Sequence, residues 1–177
     1  MVDVIKRCYN WSVQAGFGSR LIFFYLVSII PLIALNMWNL FYGDPNYIDQ
    51  YVSSFRLSLG ELMRAVVYAP IFETLFFQVL LTKYLSWRKY RTSIIIIAVA
   101  LLFALAHYPN GTWSPVIVLL PALVFSWNYY LYFNEGNGIL GFIITTIIHS
   151  AYNFTLLVVF PMIYLTLKLF YGQGFLF

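Results

Sequence analysis

The stretch AVVYAPIFETLFFQVLLT, Ala65 to Thr82, decides how this chain folds. It is apolar almost throughout and long enough to cross the hydrocarbon core of a bilayer, for which a helix needs about 20 residues. At its middle sits one carboxylate, Glu73. An ionisable group at that depth costs roughly 2.5 to 3.5 kcal/mol on insertion scales, so its presence requires a reason.

Outward from this run the same pattern repeats. Leu21 to Phe41 precedes it, ended by Gly43-Asp44-Pro45, and Asp44 to Leu59 is polar enough for a loop or a surface-lying turn. Glu61 and Arg64 are spaced to pair one helical turn apart. After the basic linker Lys83 to Arg91, Thr92 or Ser93 is suited to cap a helix over Ile94 to Ala106, which stops at His107-Tyr108-Pro109-Asn110-Gly111. Pro115 to Phe133 follows, with a kink expected at Pro121, and then Ile139 to Phe160. Pro161 is expected to separate a short last run, Met162 to Tyr171. The expectation is an all-α fold: a polytopic transmembrane helix bundle of about six helices, forming a single membrane domain over residues 1–177. Pro70 should free the carbonyl of Val66 and bend its helix.

Composition agrees. Apolar residues make up 62% of the chain, charged residues only 9%, and mean hydropathy is +0.82. Soluble domains carry roughly 25% charged residues, so water is not the main solvent here. The net charge of +4 does not imply nucleic acid, because the basic residues lie between apolar runs rather than in one patch. Lys6, Arg7, Arg20, the four cations of the 83–91 linker and Lys168 fall together, against Arg56 and Arg64, which predicts a multi-pass protein of the cell membrane with cytoplasmic termini. Trp38, Tyr42, Trp87, Tyr90, Trp113 and Tyr129 cluster near run ends, as interfacial aromatics do. The single cysteine, Cys8, excludes intrachain disulfides and multi-cysteine zinc sites. The first apolar run is too long for a signal-peptide core, so the amino terminus is expected to be retained.

The remaining intramembrane polar groups are few. Both histidines, His107 and His149, lie in or at the end of apolar runs; Asn153 is four residues after His149, on the same helical face, and Thr145 is one turn before it. Mutual satisfaction in the bundle interior is the least costly arrangement for Glu73, His107, His149 and Asn153. An interhelical hydrogen-bond network is the structural alternative. Membrane glue, however, is mostly Ser, Thr, Asn and Gln, whereas a carboxylate with two imidazoles is an inventory for moving protons or holding metal.

At these residues the chain resembles the CAAX prenyl endopeptidase type II family, also called CPBP or Abi proteins. Glu73-Thr74-Leu75-Phe76-Phe77-Gln78 resembles its EExxxR motif, Phe103 to His107 its FxxxH motif, and His149 to Asn153 its HxxxN motif. The resemblance covers Glu61 to Phe160, a catalytic core over residues 61–160. Thr74 stands for the second glutamate and Gln78 for the arginine, two changes that remove opposite charges. The resemblance implies an intramembrane glutamate-dependent endopeptidase acting on a membrane-anchored or membrane-associated peptide or protein. Glu73 would be general base with His107, and His149 and Asn153 would serve an oxyanion; Thr74, Gln78, Phe103 and Thr145 would support them. It implies no metal and no cofactor, the lipid bilayer as surroundings and no nucleic-acid partner. The alternatives are a non-catalytic scaffold or bacteriocin-immunity-type protein, and a metal-dependent membrane hydrolase using Glu73, His107 and His149 as ligands.

Overall fold

A computed structural model describes residues 16–42 and 58–171, together with Trp11 and Gln14. The readings at Lys6, Arg7, Cys8, Arg56 and the loop over residues 44–57 lie outside the described residues. The described residues form five helices and no strand: α1 (Phe17–Tyr42), α2 (Leu59–Trp87), α3 (Thr92–Ala106), α4 (Ser114–Asn134) and α5, which runs without a break through Gly138–Phe154, Thr155–Val159 and Phe160–Tyr171. Three of them, Leu59–Trp87, Ser114–Asn134 and Gly138–Thr166, are long and apolar enough to cross a membrane. The protein is an all-α membrane bundle.

Two expectations about helix count and ends change. Pro161 lies inside α5, so Met162 to Tyr171 is not a separate sixth helix. The five-residue π-helical segment Thr155–Val159 just before it widens the turn, which lets a residue lacking an N–H sit in the helix. The second change is at helix starts. Glu61 does not pair with Arg64; its carboxylate accepts from the Ser58 amide and hydroxyl, both at 2.8 Å, in a capping box that opens α2. Arg91 rather than Thr92 or Ser93 occupies the N-cap of α3, and Thr92 shares a hydrogen bond with the Tyr130 hydroxyl at 2.9 Å.

Helix α4 is central. Half of its apolar window is buried, against 28% and 33% for the α2 and α5 windows, because it packs on α1, α3 and α5 together. Phe24 and Leu32 of α1, Phe125 and Tyr132 of α4, and Ile144 and Ile148 of α5 form one apolar cluster; Phe103 of α3 with Ala100 and Ala122 forms another. Gly141 allows α4 and α5 to approach: a Cβ there would stand 2.7 Å from Cβ of Tyr132. The arrangement of polarity suits lipid. Ile22, Leu26, Ile30, Phe72, Phe76, Leu80 and Ile139 are exposed, while Ser28, Thr74, Gln78, Thr82, Ser126, Asn128, Thr145 and His149 are buried. Tyr129 is also fully buried, unlike the exposed Trp87, Tyr90 and Trp113.

Candidate active site

Helix α2 is irregular around Glu73. It passes from a π-helical segment, Arg64–Tyr68, through one α-helical turn, Ala69–Glu73, into a second π-helical segment, Thr74–Leu81. In the first, the Ala69 amide donates to the Arg64 carbonyl, five residues back. The next residue is Pro70, which has no N–H to offer the Ala65 carbonyl in the same register. The orphaned acceptor is therefore at Ala65, one residue before the Val66 carbonyl expected for an α-helix. Asn153 of α5 fills that vacancy: its Nδ2 donates to the Ala65 carbonyl at 2.8 Å. Proline, helix irregularity and asparagine are thus one device that fastens α2 to α5 beside Glu73.

The Glu73 carboxylate points to two imidazoles. Its Oε2 lies 3.5 Å from His149 Nε2 and 3.8 Å from His107 Nε2. Both separations exceed a direct N–H···O hydrogen bond, about 2.7 to 3.2 Å, and leave the three groups able to share a water or a substrate atom. His107 ends α3, and its Nδ1 donates to the Phe103 carbonyl at 2.9 Å. A carbonyl only accepts, so the Nδ1 proton is fixed and neutral His107 turns the lone pair of Nε2 toward Glu73. His149 is clamped by rings: Phe125 stacks on it at 4.7 Å and Phe103 meets it edge-on at 5.5 Å. Its Nδ1 is buried without a hydrogen-bond partner among the described residues.

These groups line one cavity of about 630 Å³, with Ala65, Ala69, Phe103, Phe125, Tyr152, the loop residues 111–113 and Ser114 at the start of α4 among its walls. Gly111 makes that loop possible, since its φ of +138° ends the short 3₁₀ turn Tyr108–Asn110 in a conformation that L side chains rarely adopt. Glu73, His107, His149 and Asn153, from α2, the end of α3 and α5, are brought together here, with Phe103 beside them. Thr74, Gln78 and Thr145 do not line the cavity. Thr74 and Gln78 are fully buried, and neither the Thr74 hydroxyl nor either end of the Gln78 amide has a hydrogen-bond partner among the described residues. Thr145 accepts from Asn128 Nδ2 at 2.8 Å. Asn128 and the ring of Phe125 were missed in the sequence. Asn128 had a signal, an amide inside the apolar run of α4, but Phe125 and the Ala65 carbonyl had none. Among the described residues no three His, Cys, Asp or Glu side chains are grouped to hold a metal ion.

The fold and the site define a class of protein: an all-α membrane bundle whose interior cavity holds a carboxylate facing two imidazoles. Residues 55–155 match the sequence signature of the Rce1-like, type II CAAX prenyl endopeptidases, and the chain belongs to that family. The match begins just ahead of α2 and ends beyond Asn153, so it spans all four polar residues of the cavity. At the level of the family this is a CAAX-protease-like membrane peptidase, a hydrolase. No curated protein and no solved structure matches the chain.

Proposed function

We propose that the protein is a glutamate-dependent endopeptidase that hydrolyses a peptide bond of a membrane-associated substrate at Glu73. The observation that carries this reading is the Glu73 carboxylate within 3.5 and 3.8 Å of two imidazole nitrogens in one cavity. A water held between Glu73 Oε2 and His107 Nε2 gives a proton to the carboxylate as its oxygen attacks the peptide carbonyl carbon. The charge that forms on the carbonyl oxygen accepts from the second N–H of Asn153, whose first is taken by Ala65, and from His149 with its proton on Nε2. The proton then passes from Glu73 to the amine nitrogen as the C–N bond breaks. The ring clamp on His149 and the Phe103 carbonyl on His107 hold both imidazoles in orientation without a further charge.

The deciding experiment is Glu73→Gln, which keeps size and hydrogen bonding but removes the base. Cleavage of a membrane-tethered substrate, scored per folded protein in detergent, should fall by about 10² to 10⁴ with the thermal midpoint unchanged. Full cleavage by the folded variant would end the assignment of Glu73. Loss of folding with biological effect following abundance would point to a scaffold, and stoichiometric zinc on the two imidazoles at about 2.0 to 2.1 Å would replace the mechanism with a metal-dependent one.

A further inference from the structure

A second concavity, of about 790 Å³, lies at the opposite ends of the helices, where α2 leads into the basic linker and α4 turns into α5. It shares no lining residue with the Glu73 cavity. Its walls are apolar: Leu75 and Val79 of α2, about one turn apart, face Ile139 and Ile143 of α5. Its end is not. Lys83, one further turn along α2, lines it, is exposed and makes no ion pair among the described residues. Tyr129 lines it from α4; this side chain is 0% exposed, yet its hydroxyl has no hydrogen-bond partner among the described residues. That hydroxyl lies 3.6 Å from where a Cβ of Gly138 would stand, beside the first turn of α5. Asn137, the N-cap of that helix, makes no side-chain capping bond, so the amides ahead of the Gly141–Asn137 backbone bond lack a capping acceptor from it.

A lysine, an unsatisfied buried hydroxyl and the start of a 17-residue α-helical segment converge on the head of an apolar groove. All three are donors or positive, and Arg88, Lys89 and Arg91 follow in the adjoining linker. We propose that this groove is a binding site for an anionic phospholipid, with the phosphate held by Lys83, Tyr129 and the first amides of α5 and an acyl chain lying along Leu75, Val79, Ile139 and Ile143. A zwitterionic lipid offers the same chain but surrounds its phosphate with a positive group, which the lysine repels. The site is independent of the chemistry at Glu73.

The test uses the full chain purified in a neutral detergent, titrated with phosphatidylglycerol or with phosphatidylcholine of identical acyl chains, and reads retained lipid by native mass spectrometry alongside the thermal midpoint. Phosphatidylglycerol should be retained about tenfold better, and Lys83→Gln and Tyr129→Phe should each remove most of that preference. Lys89→Gln should keep it, because that cation does not line the groove. Lys83 is exposed, so its variant should fold. Equal retention of the two lipids, or a loss with Lys89→Gln as large as with Lys83→Gln, would overturn the site in favour of diffuse interfacial charge. Equal stabilisation by inorganic phosphate alone would overturn the lipid as occupant.

Discussion

Asn153 meets two demands with one amide. Its position four residues after His149 reads as a partner in chemistry, and it lines the cavity, yet one of its N–H bonds goes to the Ala65 carbonyl that Pro70 leaves without a donor. The Ala65 carbonyl is part-buried, so losing its partner should cost about 1 kcal/mol, the low end of the range for a buried group. Asn153→Ala is therefore expected to lower the thermal midpoint as well as to reduce cleavage by about 10² to 10³, the range for loss of an oxyanion donor. Glu73→Gln should show only the second effect. Parallel melting curves and rates on the two variants check this, and an Asn153→Ala protein as stable as the parent would show that the Ala65 contact contributes little.

At the scale of the element, the α4–α5 seam is the tightest point found. Gly141 meets Tyr132 Cβ at 2.7 Å and the Tyr129 carbonyl at 3.4 Å from where its own Cβ would be. Backbone and Cβ atoms cannot swing aside as a side-chain tip can, so Gly141→Ala must push the helices apart. Overpacking of this kind costs about 1 to 3 kcal/mol, and here it should also disturb His149, two turns along the same helix. Gly60→Ala is the control: it sits in the first turn of α2, where a Cβ would find nothing nearer than 4.0 Å, and should be neutral or slightly stabilising. Thermal midpoints of the pair check the prediction, and equal midpoints would mean that the α4–α5 spacing adjusts freely.

For the whole molecule, the attachment of α1 bears on the cavity because Leu32 forms part of its wall. Polar ties hold it at Arg20 and at Tyr25. Arg20 Nη1 reaches both Glu135 carboxylate oxygens, at 2.9 and 3.0 Å, while its guanidinium lies over the Tyr132 ring. The second tie is farther along the same helix, where the Tyr25 hydroxyl shares a 2.7 Å hydrogen bond with that of Thr155. Glu135→Gln should loosen α1 and speed its amide exchange. With the Glu135 side chain 31% exposed, the loss in stability should be about 1 kcal/mol, nearer to a surface pair than to the 3 to 5 kcal/mol of a fully buried one. Hydrogen exchange of α1 at low and high salt reads this. Unchanged protection would assign the docking of α1 to Phe24, Leu32 and the Tyr25–Thr155 bond.

The membrane character, the helical class and most helix boundaries are legible in the sequence because they depend on local quantities: the length of an apolar run, the turn residues that end it and the scarcity of charge. The polar set stood out for the same reason, since each ionisable group inside an apolar run is costly by itself. What the sequence alone did not decide depends on partners distant along the chain. A proline reads as a break at 161 and as a bend at 70, but whether a helix stops or widens into a π-helical turn depends on what can satisfy the freed carbonyls. At Pro70 a tertiary contact answers it, through Asn153 at the Ala65 carbonyl, and at Pro161 the helix continues after the π-helical segment Thr155–Val159. The ring of Phe125 against His149, and the meeting of Lys83 with Tyr129 at one groove, likewise exist only after α4 is placed between its neighbours, because apolar side chains carry no label for the face they will bury.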